Sequence, residues 1–431
     1  MDYGRLILDV VYFISLYYAV FWLVTFFSEK QLKVLRENFS YPKISIIIPM
    51  YNEEQNIVDT IENICDVDYD KKKLRLIVVD DGSQDKSYEL ANATLMQVKK
   101  KYPEIDTLLL RQDNSGKYRA MNYALEYVET EFFATLDADS YPSKDSLKIV
   151  LREFSSKNIA AVTPILKVYK PKGILEKIQA IEYSINHFYK SILSKGNAIH
   201  VTPGPLAVYK TDIVKTLGGF RQGHKTEDME LAVRIQKNHY KIVQANDAIV
   251  YTKCPRTLKS LFAQRKRWNL GTLRNIIDYR SLLFNKKYGD FGLFQFPMIL
   301  MSGILSVSIL TLMALQRRDS IRRAYLSIKA YNFNFIEYLI DSFGTLNFKY
   351  WFFNLELKSI VMFGFFFLIT LYVVYKSLNL NKIKMNLKKL NDTFVSFVVF
   401  AFFYYLFLSV VWLSVFKDFF LKKDVIWKKS V

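Results

Sequence analysis

The chain is poor in the residues that mark several common classes of protein. Its 431 residues include only two cysteines. Because Cys65 and Cys254 lie far apart and belong to no paired motif, neither a disulfide framework nor a cysteine-based zinc site is supported. The four histidines have no metal-ligand spacing, so we interpret them as structural or surface residues. No G-x-x-x-x-G-K-[ST] phosphate loop and no Ser-His-Asp or Cys-His arrangement is present, which argues against the enzymes that carry those signatures.

Glycine and proline are also scarce, with 15 and 10 residues, whereas hydrophobic residues make up 51% of the chain. The apolar residues occur in blocks, and four blocks approach the roughly 20 residues that a membrane span needs. They cover residues 6–27, 291–316, 359–375 and 393–416. The first block is longer than the apolar core of a signal peptide, and no small-residue cleavage site follows it. It is therefore predicted to be a retained anchor.

The formal net charge is +19, from 60 Lys and Arg against 41 Asp and Glu. Such an excess suits nucleic acid, anionic lipid or a phosphate-rich substrate, and charge alone does not choose among them. Together with the apolar blocks, it leads us to expect a membrane and a phosphate-bearing substrate as partners, and no nucleic acid.

These features divide the chain into five parts. We expect a transmembrane anchor at residues 1–28, a cytoplasmic domain at 29–256, an amphipathic interface region at 257–290, a transmembrane block of about three spans at 291–416 and a basic tail at 417–431. With the domain in the cytoplasm, the Lys-rich loop 376–389 also lies inside, as the positive-inside rule requires. The arginines between 317 and 323 would then lie outside, unless the aromatic stretch 331–353 also enters the bilayer. The protein is expected in the cell membrane as a multi-pass protein.

The region between the first two apolar blocks alternates short β-branched runs with amphipathic segments. Strands are predicted at 43–49, 74–80, 107–111 and 132–137, and helices at 53–64, 86–101 and 119–128. Such alternation with short links predicts an open, mostly parallel sheet that is covered on both faces. In sheets of this kind, ligands bind at the carboxyl ends of the strands.

Two carboxylates, Asp137 and Asp139, follow the predicted strand 132–137. If the strand continues that far, alternation aims both side chains the same way. Converging carboxylates can hold Mg²⁺ or Mn²⁺, whose other positions take diphosphate oxygens. An isolated D-x-D is more often a solvated loop, but further polar clusters accompany this one.

The other clusters also lie at the ends of predicted elements. Asp80 and Asp81 end a strand, where a carboxylate can bind a base or ribose or can cap the next helix. Lys117 and Arg119 follow a glycine at a helix start, as a phosphate site requires, although a solvated loop has the same pattern. Asp228 begins a helix, where a carboxylate can simply stabilise the helix or can act as a general base. The stretch QRKRW at 264–268 belongs to a basic amphipathic segment that suits a membrane surface.

Taken in order, these pieces resemble the family 2 glycosyltransferases, in particular the processive membrane branch with bacterial poly-N-acetylglucosamine, cellulose and hyaluronan synthases. The resemblance rests on IIIPMYNEE at 46–54, VVDDGS at 78–83, SGKYRAMN at 115–122, LDAD at 136–139, TED at 226–228 and QRKRW at 264–268. It covers residues 43–273. Each motif is weak alone, but the set in the family's order and spacing is specific.

The resemblance implies an α/β GT-A nucleotide-sugar transferase domain between transmembrane helices, a UDP-sugar donor, a glycan or lipid acceptor, and inversion at the anomeric carbon. It also implies a Mg²⁺ or Mn²⁺ cofactor and allows for accessory export proteins. By motif position, the nucleotide residues are Tyr51, Glu53, Asp80, Lys117, Arg119 and Asp137, and the metal residues are Asp137 and Asp139. The catalytic residues are the base Asp228 and its neighbour Glu227. The residues for the diphosphate and the acceptor are Gln264, Arg267, Trp268 and Gly204.

Three functions remain open at this point. The first is processive synthesis, with translocation, of a β-linked polysaccharide such as poly-N-acetylglucosamine. One span before the domain and about three after it also resemble ceramide glucosyltransferase-like enzymes, which add a single sugar to a lipid. The third function is a membrane channel or transporter that binds nucleotide, and the intact motif set counts against it.

Overall fold

The structure is a computed structural model, and it describes residues 3–27, 40–331 and 399–422 together with isolated positions between 333 and 376. In this part of the chain, the strands form one sheet of eight with the order β3-β2-β1-β4-β7-β6-β8-β5. The strands are β1 Ile44–Met50, β2 Leu74–Asp80, β3 Asp106–Arg111, β4 Phe132–Thr135, β5 Ser140–Pro142, β6 Ile159–Val168, β7 Ala207–Lys210 and β8 Lys241–Thr252.

The helices lie between these strands and at both ends of the described chain. They are α1 Tyr3–Phe27, α2 Ile57–Cys65, α3 Ser87–Lys101, α4 Lys117–Glu126, α5 Ser146–Arg152, α6 Ile174–Lys195, α7 Thr211–Thr216, α8 Glu227–Lys237, α9 Leu258–Asp278, α10 Phe296–Ala330 and α11 Tyr405–Phe420. Short π-helical segments, Phe291–Gln295 and Phe400–Tyr404, lead directly into α10 and α11. Strands therefore alternate with helices over most of the domain, as the sequence predicts.

The central strands are buried on both faces, which explains their continuous apolar sequence. Every residue of β1 is buried. Ile46 and Ile48 pack into one hydrophobic core, and Ile47 packs into the core on the opposite face of the sheet. A strand covered by helices on both sides has no polar face, so it reads as an unbroken apolar run.

The sheet is mixed, with a parallel half and a half that contains both parallel and antiparallel pairs. Strand β1 pairs in parallel with β2 and β4, β2 pairs in parallel with β3, and β6 pairs in parallel with β8. Strands β4 and β6 pair antiparallel with β7, and β5 pairs antiparallel with β8. The expectation of a mostly parallel sheet is confirmed, and the antiparallel partners are the short strands β5 and β7.

The predicted end of the strand 132–137 is wrong, and the difference changes how the D-x-D carboxylates are held. Strand β4 ends at Thr135, so Asp137 and Asp139 lie in the following turn rather than on a strand. The backbone leaves the sheet after Leu136, whose N–H still donates to Ile47 O at 2.8 Å. Strand alternation therefore does not orient the two carboxylates, and their neighbours in the turn do.

Among the described residues, two apolar helices are long enough to cross a membrane. They cover Leu6–Phe27, with mean hydropathy 2.0, and Phe291–Leu315, with mean hydropathy 2.3. They pack on each other through Phe21 and Phe294, whose rings stack with centroids 4.0 Å apart. Helix α11 packs against both α9 and α10. The predicted span 359–375 is described at ten positions between 360 and 373, and the Lys-rich loop 376–389 only at residue 376. Most of the stretch 331–353 and of the basic tail lies outside the described residues. The span 393–416 is described only from residue 399.

Helix α10 continues well past the predicted end of its apolar segment. It has 35 residues and includes the exposed Arg317, Arg318, Arg322 and Arg323. At about 1.5 Å per residue it is longer than the roughly 30 Å of a bilayer core. The arginines therefore belong to a helical extension of the apolar segment rather than to a loop.

Candidate active site

A large cleft, with a volume of about 1730 Å³, opens at the carboxyl ends of the parallel strands. Among the described residues it brings together nearly all of the side chains that the sequence predicts for the site. The cleft is lined by Tyr51, Glu53, Lys117, Arg119, Asp137, Asp139, Gly204, Glu227, Asp228, Gln264, Arg267 and Trp268. The motifs are thus separate in sequence and adjacent in space, as expected for loops at one edge of a sheet.

Asp80 is the predicted site residue that does not line the cleft. Its side chain is fully buried, with Oδ2 3.1 Å from Arg111 Nε. The next residue, Asp81, lines the cleft, and its carboxylate accepts the backbone N–H groups of Ser115 and Gly116, both at 2.9 Å. Asp80 therefore anchors the end of β2 from beneath, and Asp81 fixes the loop that precedes α4.

Lys117 lies among carboxylates at the start of α4. Its Nζ is 2.6 Å from Asp137 Oδ1 and 3.8 Å from Glu227 Oε1. Burial works against the ammonium charge, but the negative charges of Asp137 and Glu227 outweigh burial and raise the pKa of Lys117. The lysine therefore stays protonated and links the D-x-D turn to the start of α8.

Asp139 is a carboxylate whose ionised form is disfavoured by its surroundings. Burial, followed by the negative charges of Asp137 and Glu53, raises its pKa to about 7. A cation beside Asp137 and Asp139 would relieve this repulsion, so the donor set fits a hard divalent ion. Within the described part of the chain, no group of three or more His, Cys, Asp or Glu side chains could hold a metal. Two carboxylates leave most coordination positions open, which is how Mg²⁺ sites that also bind phosphate are built.

Gly204 lies directly against the D-x-D turn. A Cβ atom at this position would come within 2.6 Å of Asp137 Oδ2 and 2.8 Å of Asp137 Cγ. The backbone is held there because Thr135 Oγ1 donates to Gly204 O at 3.1 Å. The glycine is therefore needed for the close approach of the 202–205 loop to Asp137.

Asp228 lies in the first turn of α8 and faces the cleft. Burial and then the charge of Glu227 raise its pKa to about 6, against opposing effects from Lys117, the Met229 N–H and Arg267. The carboxylate is therefore largely ionised at neutral pH and basic enough to accept a proton. Thr226 occupies the N-cap position, but its hydroxyl donates to Gly223 O at 2.7 Å instead of capping the helix.

The QRKRW stretch lies on α9, between the domain and α11. Arg267 reaches back to donate to Lys225 O at 3.0 Å, so it joins the loop that precedes Asp228. Leu261, Arg265 and Leu270 are buried. Protein therefore covers much of this helix, and its basic face is not simply a solvated surface.

Helix α6 contributes cleft residues that sequence reasoning missed. Glu182, Lys190 and, just beyond the helix, His200 all line the cleft. Burial lowers the pKa of Lys190 to about 8 and that of His200 to about 3, so the imidazole is neutral. The sequence carries no motif at these positions. They reach the cleft through the packing of α6 beside α9 and α10, which a single sequence does not show.

The cleft also extends away from the sheet, into the space between helices α10 and α11. This end is lined by Met298, Ile299 and Ser302 of α10 and by Leu408 and Trp412 of α11. Carboxylates and cations therefore line one end of the cleft, and mostly apolar side chains line the other.

Comparison with known proteins identifies relatives of this arrangement. A family model described as glycosyltransferase like family 2 matches residues 42–271. The chain is 26% identical over 293 residues to poly-beta-1,6-N-acetyl-D-glucosamine synthase of Staphylococcus epidermidis, covering 65% of this chain and 69% of that protein. It is 28% identical over 248 residues to the synthase of the same name from Staphylococcus aureus (strain COL), covering 57% of this chain and 58% of that protein.

Among solved structures, the mannosyltransferase PcManGT from Pyrobaculum calidifontis, in complex with GDP-Man and Mn²⁺, aligns with a TM-score of 0.59. The alignment has 19% identity and covers 78% of this chain and 93% of that chain. This likeness shows that the domain has the GT-A fold that the sequence motifs predict.

Proposed function

The chain belongs to the family described as glycosyltransferase like family 2, and on that premise we propose that it transfers sugars from a UDP-sugar to a growing β-linked polysaccharide. The chain is a glycosyltransferase. The polymer that suits it best is poly-N-acetylglucosamine, since two relatives carry that name and are 26% and 28% identical to it. The matches cover 69% and 58% of the relatives' own lengths, so the identity of the polymer is part of our proposal.

The observation that carries the mechanism is the position of Asp228. Its carboxylate faces the same cleft as Lys117 and Arg267, and its raised pKa makes it a capable base. Asp228 would take the proton from the acceptor hydroxyl as that oxygen forms a bond to the anomeric carbon. The bond from that carbon to the diphosphate breaks in the same step, so the configuration inverts and UDP leaves.

The other cleft residues would bind the donor. Tyr51 and Glu53 follow β1 and suit the nucleoside, while Asp80 acts indirectly by anchoring the end of β2. Lys117 and Arg119, at the start of α4, are placed for the diphosphate, because cations and free N–H groups at a helix start favour phosphate. Glu227 contacts Lys117 and would help to hold it.

A divalent ion suits the D-x-D turn. Asp137 and Asp139 would hold Mg²⁺ or Mn²⁺, and the relative in complex with GDP-Man contains Mn²⁺. When bound, such an ion neutralises charge that develops on the leaving diphosphate. Lys117 and Arg267 would share this task from the protein side.

We propose that the enzyme works in the cell membrane with its catalytic domain on the cytoplasmic side. Helix α1 and the segment Phe291–Leu315 supply two candidate spans. The proposed parts are the anchor at 1–28, the GT-A domain at 29–256, the interface region at 257–290, the membrane block at 291–416 and the tail at 417–431. Gln264, Trp268 and Gly204 line the same cleft and would meet a glycan or lipid acceptor there, and accessory proteins could receive an exported chain.

The pH dependence of transfer should report Asp228. Because this base must be ionised, kcat/KM should fall as pH drops through about 6, with one proton taken up. Saturating Mn²⁺ keeps Asp139 ionised during the titration, since metal competes with protons for a carboxylate. The measurement is sugar transfer between pH 5 and 8, with protein integrity checked at each pH. A rate that stays constant across this range would argue against a buried carboxylate base.

The size of the product tests the function directly. We expect purified wild-type protein in detergent to make long polymer from radiolabelled UDP-N-acetylglucosamine without added lipid. Trp268→Ala should make little polymer, because an indole face can stack on a sugar ring and retain it after each transfer. Trp268→Phe, which keeps an aromatic face, is the matched control and should retain most of the polymer.

Gel sizing of the product with and without lipid extract separates the remaining functions. Strict dependence on lipid and a product heavier by one sugar would replace the polymerase by a single-addition, ceramide glucosyltransferase-like enzyme. Tight UDP binding without transfer from any member of a panel of UDP-sugars would favour the nucleotide-binding channel or transporter.

A further inference from the structure

Glu182, in the middle of α6, joins two side chains that come from distant parts of the chain. Its Oε2 is 2.6 Å from Arg265 Nη2 on α9 and accepts a hydrogen bond from the hydroxyl of Tyr404 at 2.7 Å. Tyr404 is the last residue of the π-helical segment that leads into α11. Arg265 is 3% exposed and Tyr404 is 5% exposed, whereas the Glu182 side chain is 15% exposed and lines the cleft.

Arg265 in turn contacts two of the side chains proposed to handle substrate. Its guanidinium lies 4.4 Å from the ring centroid of Trp268, within the range of a cation–π interaction. The Nη1 group of Arg265 donates a hydrogen bond to Oε1 of Gln264. Because a guanidinium can only donate, the amide oxygen of Gln264 is committed to Arg265, and its NH₂ group is left to donate elsewhere. Both Gln264 and Trp268 line the cleft.

We propose that Tyr404, Glu182 and Arg265 form a positioning chain, by which the helix α11 sets the orientation of Gln264 and Trp268. These three are positioning residues and not catalytic residues, since they act through the two that face the substrate. The inference rests on the proposed function in one respect: the substrate that Gln264 and Trp268 meet is the donor diphosphate and the acceptor sugar.

The contacts within the positioning chain make it rigid. A buried charge that loses its partner is costly, so Arg265 and Glu182 must move together or not at all. The direction of the Tyr404 hydroxyl is also fixed, because its ring stacks on those of Phe400 and Phe407 with centroids 5.4 and 5.9 Å apart. A shift of the segment before α11 would therefore be transmitted to Arg265.

This coupling has a use in a processive enzyme. Helix α11 lines the apolar end of the cleft through Leu408 and Trp412, where the product would lie. The same helix, through the positioning chain, would control the amide and the indole at the reaction end. Occupancy of one end could thus adjust the grip on the terminal sugar at the other.

Tyr404→Phe is the first test, because it removes one hydroxyl and keeps the aromatic ring. We expect kcat for transfer to fall by about 10-fold, which is the lower end of the contribution of one hydrogen bond to a charged group. The Kd for UDP and the melting temperature should stay near those of wild type. Tyr405→Phe is the matched control, since Tyr405 is the adjacent residue, is 55% exposed and does not line the cleft. Equal kinetics for Tyr404→Phe and wild type would overturn the proposal.

A double-mutant cycle tests whether the residues act in series. Glu182→Gln should lower transfer by about 10- to 100-fold, because small displacements of positioned groups are costly. Adding Tyr404→Phe to Glu182→Gln should then change little, because both act through the same carboxylate. Effects that multiply independently would show that the two residues do not form one chain.

A readout without turnover separates this proposal from the proposed function. In full-length protein labelled with 5-fluorotryptophan, the ¹⁹F resonance of Trp268 can be assigned from its loss in Trp268→Phe. We expect Tyr404→Phe to shift this resonance and Tyr405→Phe to leave it unchanged. If wild type transferred no sugar from any donor, the proposed function would fail. The resonance would still show whether Tyr404 affects the surroundings of Trp268. An unshifted resonance in Tyr404→Phe would refute the chain even in an active enzyme.

Discussion

Replacing Asp228 by asparagine should lower sugar transfer by about 10²- to 10⁴-fold, the usual contribution of a general base. The amide has nearly the shape of the carboxylate but cannot accept a proton from the acceptor hydroxyl. It can still accept the Met229 N–H, which donates to Asp228 Oδ1 at 2.9 Å, so the start of α8 should be preserved. The Kd for UDP should hardly change, because in the proposed mechanism this residue meets the acceptor and not the nucleotide.

The chain offers a closely matched control for this substitution. Asp212 also lies in the first turn of a helix, and its Oδ1 also accepts the N–H of the next residue, Ile213, at 2.8 Å. It is exposed and lies outside the cleft, so Asp212→Asn should leave transfer unchanged. Transfer assays and UDP titrations on both variants decide the matter. If Asp228→Asn kept half of the wild-type turnover, the base would have to be another group.

The gathering of the motifs in one cleft could be predicted because it follows from sheet topology. Asp81, Lys117 and Asp137 follow strands or begin helices at the same edge of the sheet, so they converge although they are far apart in sequence. Parallel strands with helical crossovers place successive loops on one edge. The apolar runs that identify those strands are long and unbroken, and this made the prediction secure.

Details within the motifs depended on neighbours that the sequence does not reveal. Strand β4 ends at Thr135, where its pairing with both β1 and β7 ends, and the partner in β7 lies some 70 residues later in the sequence. Likewise, adjacent aspartates at a strand end point in opposite directions. Which of the two lines the cleft depends on the position of Arg111. Arg111 pairs with Asp80, and Asp81 lines the cleft.

The contribution of α6 was invisible for a different reason. Glu182 and Lys190 are polar residues on an amphipathic helix, and such residues usually face solvent. Here α9, α10 and the segment before α11 cover that face, so the polar groups meet partners from distant parts of the chain. A single sequence shows the polar face of a helix but not what lies against it.

Removal of divalent metal should abolish transfer, and Mg²⁺ or Mn²⁺ should restore it. Asp137 and Asp139 place negative charge where the proposed donor brings a diphosphate, and without a cation that encounter is repulsive. Burial, followed by the negative charges of Asp137 and Glu53, raises the pKa of Asp139, so this site disfavours further negative charge. Transfer should be measured in excess EDTA and then with each metal added back. Full turnover in excess EDTA would remove the metal from the mechanism.

Gly204→Ala distinguishes a metal held at Asp137 from one bound elsewhere on the protein. The added methyl group would lie 2.6 Å from Asp137 Oδ2, so the carboxylate would have to turn away. We expect this variant to need a Mn²⁺ concentration at least about tenfold higher for half-maximal transfer, since displaced ligands weaken metal binding by such factors. Gly173→Ala is the control, because its Cβ would come no closer than 3.8 Å to the Glu176 carboxylate, far from the D-x-D turn. An unchanged Mn²⁺ requirement in Gly204→Ala would mean that Asp137 does not hold the ion, even if EDTA had abolished transfer. A raised requirement in Gly204→Ala alone would instead place the ion at the carboxylate that also contacts Lys117.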